Sequence, residues 1–134
     1  MNNFKFSKRS EENLNGVHPD LVKVARLALT LSSRDFTVIE GVRSKAKQKR
    51  LYAQGATKTM NSRHLTGHAI DIVPYPLDWK DTKAFGELAK AMFEASRQLK
   101  IPIRWGGDWN RNGRSDDETF YDGPHFELLK AVYP

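Results

Sequence analysis

A carboxylate in the middle of an apolar strand, with histidines before and after it, offers the richest chemistry in this chain. Asp71 lies between Ile70 and Ile72 in the short β-branched run Ala69-Ile-Asp-Ile-Val73. Alternation along a strand gives its carboxylate the face of Ala69 and Val73, where a charge is costly unless it is paired or bound to a cation. His64 precedes this strand, and Gly67 allows a turn that brings the imidazole back over that face. His125 opens a second short strand, His125-Phe-Glu-Leu-Leu129, on the same side as Glu127 and opposite Phe126 and Leu128. Two histidines and one carboxylate form a known catalytic zinc set with a fourth position open to water. Spacing alone leaves another reading open, in which His64 and His68 are loop residues and Asp71 caps or pairs with an arginine.

A second constellation is rich in oxygen ligands. Asp108, Asn110 and Asn112 alternate, Gly113 follows at the sixth position, and Asp117 and Glu118 come next. Alternating oxygens before a glycine follow the logic of a calcium loop. The twelfth position is Thr119, short of the EF-hand pattern, and an exposed polar loop with asparagine turns is the competing reading.

Ordinary elements must position these groups. A short helix is expected from near Ser7. Another follows Pro19, with Leu21, Val24, Ala25, Ala28 and Leu31 on its apolar stripe. Phe36–Glu40 reads as a strand presenting Phe36, Val38 and Glu40 on one face. Ser44 caps a basic helix over 45–54 that Gly55 stops. Residues 56–67 read as a polar loop. A long helix is expected from Trp79 to Leu99, with Phe85, Leu88, Ala89, Met92 and Phe93 buried, and Trp79 also in the core. Ile103-Arg-Trp105 reads as a further strand. The sum is a single α+β domain over residues 1–134, with helices packed on a small, largely antiparallel sheet.

Composition narrows the function. The chain has 134 residues, 39% of them hydrophobic, and no cysteine, which excludes disulfides, thiolate metal sites and cysteine nucleophiles. Residues 1–58 hold twelve Lys/Arg against five Asp/Glu, whereas 59–134 hold ten against eleven. A basic front suggests an anionic macromolecular partner and an acidic back a cation site. No apolar run approaches the ~18 residues of a membrane span, and the first residues lack the apolar stretch of a secretory signal. Basic residues are not interleaved with aromatics in a nucleic-acid motif, so no nucleic-acid partner is expected.

Ser62-x-His64-x-x-Gly67-x-Ala69-x-Asp71, followed much later by Asp122-Gly-Pro-His125, resembles the D-Ala-D-Ala carboxypeptidase and VanY-type metallopeptidases. More narrowly it is similar to the bacteriophage L-alanyl-D-glutamate endopeptidases, small endolysins without a separate wall-binding domain. The likeness extends to Gly41-x-Arg43, Gln48 and Trp105-Gly-Gly-Asp-Trp109. It implies a hedgehog/D-Ala-D-Ala-peptidase-like fold, zinc on His64, Asp71 and His125, and Asp122 as general base. It further implies substrate contacts from Arg43, Gln48 and Trp109, with Trp109 either lining the cleft or packing, and a Ser62 that orients the loop or donates to substrate. His68 falls at a variable position of the motif and reads as surface, and His18 as a bystander beside a helix start. The implied substrate is the L-Ala–D-Glu bond of peptidoglycan stem peptides, cut during phage lysis. The enzyme would be a monomer without a membrane anchor, made in the host cytoplasm and reaching the wall through a holin-made lesion, with calcium as a regulator. The alternatives are a D-Ala-D-Ala carboxypeptidase or dipeptidase, and a non-catalytic zinc-dependent wall-binding module. Asp122 argues against the module, because a binder needs no base beside its metal.

Overall fold

Local capping defines where each helix starts. In the computed structural model, which describes residues 2–56, 62–112 and 121–134, α1 (Lys8–Leu14) begins where Ser7 Oγ accepts from Ser10 N at 3.2 Å. In α2 (Pro19–Leu31) proline takes the first turn and His18 Nδ1 accepts from Asp20 N at 3.1 Å. α3 (Lys45–Ala53) is capped by Ser44, and Gly55 follows it with φ +75°. The last helix, α4, runs Thr82–Leu99.

Two expectations about α4 need correction. It starts at Thr82 rather than Trp79, because the Asp78 carboxylate accepts from Lys80 N and the Asp81 carboxylate from Ala84 N, which places the cap at Asp81. Its buried face is Ala84, Phe85, Leu88, Ala89, Ala91, Met92, Ala95 and Ser96. Phe93, one step of about 100° beyond Met92, turns outward and is 38% exposed. Trp79, expected in the core, is 59% exposed. On α2 the buried stripe takes Leu29, and Leu31 is only partly covered.

The four strands β1 (Phe36–Glu40), β2 (Ala69–Pro74), β3 (Ile103–Trp105) and β4 (His125–Leu128) form one antiparallel sheet in the order β1-β2-β4-β3. Ile70 and Ile72 of β2 and Phe126 and Leu128 of β4 join Leu21 and Val24 of α2 and Leu88 and Met92 of α4 in one core. The intervening positions, Asp71, His125 and Glu127, carry the polar side chains to the opposite face. Strand alternation thus separates core from site.

The segment expected as a loop contains a 3-10 turn, Arg63–Thr66, capped by Ser62 Oγ on His64 N. Gly67 ends it at φ +77°, and a Cβ there would lie 2.7 Å from Gly16 O, so both conformation and space require glycine. The end of the chain folds onto this turn: one Arg63 nitrogen reaches Leu128 O and Tyr133 O, and Tyr133 Oη donates to Asp20 at 2.6 Å.

Candidate metal centre and active-site cleft

The sheet register assembles the site. Asp71 at the centre of β2 faces His125 of β4 on one side and Glu40 of β1 on the other. A bulge between Val38 and Glu40 sets that second pairing. The 3-10 turn then delivers His64 from above. His64 Nε2 lies 3.2 Å and His125 Nδ1 3.4 Å from Asp71 Oδ1. One ligand atom from each residue falls within 4.8 Å of the others, and this is the only such His/Cys/Asp/Glu cluster among the described residues.

The far sides of both imidazoles fix which nitrogen is free to bind. His64 Nδ1 sits 2.8 Å from Gly41 O. A carbonyl can only accept, so Nδ1 carries the proton and Nε2 presents its lone pair to the centre. His125 Nε2 sits 2.8 Å from Glu127 Oε1 and donates to it, which leaves Nδ1 facing Asp71. Two imidazole lone pairs and a carboxylate oxygen converging with both outer nitrogens anchored suit a divalent transition metal.

The charges of the triad are strongly coupled. Burial pushes Asp71 upward, but hydrogen bonds from His125 and His64 outweigh it and hold the carboxyl well below the usual range. Burial lowers His125, yet its bonds to Asp71 and Glu127 prevail and raise it to about 9. A cation held at the centre would take the place of that proton.

Arg43 lies against the same centre. Nε and Nη2 donate to the two oxygens of Glu40 at 2.8 and 3.0 Å, Nη1 donates to Gln48 Oε1 at 2.7 Å, and Nη2 is 3.7 Å from Asp71 Oδ2. Arg43 chelates Glu40 and also pairs with an aspartate, Asp71, the other open reading of that carboxylate. Gln48, expected among the substrate contacts, has no exposed surface, and its Oε1 accepts from Arg43. Burial raises Glu40, and its bonds from Arg43 and Lys47 more than offset this.

A cleft of about 590 Å³ opens over these groups, lined among others by Arg43, Ser62, His64, Asp71, Trp109, Asp122 and His125. Asp122 precedes β4 in a turn tied down by Asp122 N to Gly106 O and His125 N to Asp122 O. Gly106 is obligatory there, since a Cβ would stand 2.3 Å from Asp122 O. Burial first, and the charge of Asp71 second, push the Asp122 carboxyl up. Trp109 both lines the cleft and packs, its ring centroid 5.2 Å from that of His125 and 5.0 Å from the Arg104 guanidinium carbon. A larger groove of about 690 Å³ beside Leu31, Glu87 and Phe93 contains no ligating cluster.

In the oxygen-rich loop, Asp108 Oδ1 and Asn110 Oδ1 both accept from Asn112 N, at 3.2 and 3.3 Å. Asp117 and Glu118 lie outside the described residues. His18 and His68 stack near each other, ring centroids 5.5 Å apart, away from the cleft lining. Glu40 and Glu127 are neighbours of the triad that the sequence does not assign to holding Arg43 and His125. The signals were present: Glu127 shares its strand side with His125, and Glu40 ends the strand just before Gly41-x-Arg43.

Comparison with known proteins agrees with this geometry. The L-alanyl-D-glutamate peptidase of Escherichia phage T5 is 44% identical over 135 residues, covering 94% of this chain and 98% of that relative. The crystal structure of Serratia marcescens L-Ala D-Glu endopeptidase ChiX superposes with a TM-score of 0.86 at 45% identity, over 98% of this chain and 94% of that one. The vancomycin-resistance D,D-dipeptidase VanXYg, at 18% identity and a TM-score of 0.50 over 84% of this chain and 50% of its own, shares the fold. Residues 2–129 match the model of the phage L-alanyl-D-glutamate peptidase, and the chain belongs to that family.

Proposed function

We propose that this protein is a zinc endopeptidase that hydrolyses the L-Ala–D-Glu bond of peptidoglycan stem peptides as a phage endolysin. The observation that carries the reading is the convergence of His64 Nε2, Asp71 and His125 Nδ1 in a cleft that also contains Asp122. Zinc held by those three side chains would supply Lewis acidity to a water and to the scissile carbonyl. Asp122, whose basicity is raised by burial, takes the proton from the attacking water and passes it to the leaving amine. Arg43, locked by Glu40 and Gln48, offers a fixed positive charge to a substrate carboxylate or to the developing oxyanion. Ser62 holds the His64 turn through its cap and borders the cleft.

The same proposal includes calcium as a regulator, with Asp108, Asn110, Asn112, Asp117 and Glu118 as ligands on the loop leading to Asp122. It includes a monomer that reaches the wall through a holin-made lesion. No helix among the described residues is long and apolar enough to cross a membrane.

Mass spectrometry of purified peptidoglycan digested with the zinc-loaded protein tests the activity. New amino-terminal D-glutamate on released peptides is the expected product. Release of D-alanine alone would mean a carboxypeptidase, and intact peptidoglycan at full zinc occupancy would mean a binding module.

A further inference from the structure

We propose that Trp79 is a sugar platform, so that the cleft takes the muramic acid residue together with the peptide it carries. The inference rests on the endopeptidase reading above. In a peptidoglycan stem, L-alanine is joined directly to the lactyl arm of N-acetylmuramic acid. A residue spans about 3.5 Å when extended, so a peptidase cutting after L-alanine has the pyranose within roughly 10 Å of the reacting carbonyl. Any cleft that accepts intact wall must accommodate that ring close to its metal centre.

Trp79 is the group placed to meet it. The residue borders the cleft that contains Asp122 and His125, and it is 59% exposed. One face of its indole stacks on Phe85, with centroids 5.9 Å apart and planes 20° from parallel, which leaves the other face uncovered by that ring. Phe85 is itself 2% exposed, and a Cβ added to Gly123 would lie 3.1 Å from it. The contacts Trp79–Phe85 and Phe85–Gly123 therefore set the indole beside the turn that holds Asp122. The Asp78 carboxylate on Lys80 N, at 3.0 Å, and Asp78 O accepting from Asp81 N, also at 3.0 Å, hold the loop itself. The open face of an indole gains free energy when a ligand covers it. A pyranose, with C–H bonds on one face and hydroxyls around its edge, matches a flat ring with an apolar body. Peptide carboxylates have the cations Arg43, Arg104 and Lys130 elsewhere in the lining.

Two substrates separate the outcomes: a disaccharide-bearing muropeptide and the same stem peptide without sugar, each assayed with the zinc-loaded full chain. The wild-type protein should have a kcat/KM about tenfold higher for the sugar-bearing substrate, as one stacked ring supplies. Trp79→Ala should bring that ratio to about one at unchanged metal content, and Trp79→Phe should restore part of it. Equal rates on both substrates with the wild-type protein, or an equal loss on both in Trp79→Ala, would overturn the platform while leaving the endopeptidase intact. Failure to cut either substrate after L-alanine would overturn the endopeptidase reading, and the platform with it.

Discussion

The Glu127 carboxylate accepts a hydrogen bond from His125 Nε2 at 2.8 Å and is held in turn by Arg104 at 3.0 Å, so a group outside the centre selects Nδ1 as the nitrogen that faces Asp71. Burial pushes Glu127 up, but the His125 bond and the nearby Arg104 keep it ionised. Glu127→Gln retains an acceptor but loses the charge, and it should weaken zinc binding by about 10–100-fold. Competition against a chelator of known affinity measures this. An unchanged affinity would reduce Glu127 to a packing residue.

Asp122→Asn should fold, hold about one zinc per chain, and lose at least roughly two orders of magnitude in turnover. Glu127 cannot replace it, because its oxygens are engaged by His125 and Arg104. Near-wild-type turnover in this variant would mean that the base lies elsewhere.

Chelated protein should lose stability on the alkaline side. His125 is raised from 6.5 to about 9 in the folded chain, so its charged form stabilises fully below about pH 6.5. That contribution falls away as pH rises through 9. With zinc bound the proton is already gone, so the melting temperature of the loaded protein should change less over the same interval. Parallel melts of both forms from pH 6.5 to 10 check the sign.

Gln48→Ala removes a side chain that has no exposed surface, yet it should lower turnover, because Arg43 Nη1 loses its acceptor. A buried donor left unmatched costs about 1–3 kcal/mol. Kinetics and chemical denaturation on the same variant should show both losses. Lower stability with unchanged turnover would detach Arg43 from the reaction.

Activity at fixed zinc should rise with calcium, and Asp108→Ala should abolish the rise without removing zinc. Asp108 already turns toward its own loop, accepting from Asn112 N at 3.2 Å. Identical rates in chelated and millimolar calcium would leave the loop a polar turn.

Periodicity made the scaffold readable. The caps at Ser7 and Ser44, the proline that opens α2, and the alternation that sends Ile70, Ile72 and Phe126 inward and Asp71 and His125 outward, all follow from local rules. What failed was set by side-chain choices that residue type and periodicity do not dictate. Trp79 looks like core by type, but Asp81 rather than Trp79 caps α4 and leaves the indole outside the helix. Gln48 looked like a contact by position, and only the bulge at the end of β1, which sets Glu40 beside Asp71, shows that Arg43 needs it. Glu127 was visible as a neighbour of His125, but hydrogen bonding between their side chains depends on rotamers that alternation does not dictate.

A Cβ on Gly41 would sit 1.9 Å from Asn13 O, and Gly41 O is the acceptor that orients His64. On the other side of the same turn, Arg63 grips the carbonyl of Tyr133. Both α1 and the segment at Tyr133 are therefore stitched beside His64, the proposed metal ligand. For anyone building chimaeras, a targeting module attached at either end needs a spacer that leaves α1 and Tyr133 seated, or the graft will detune the metal centre from a distance.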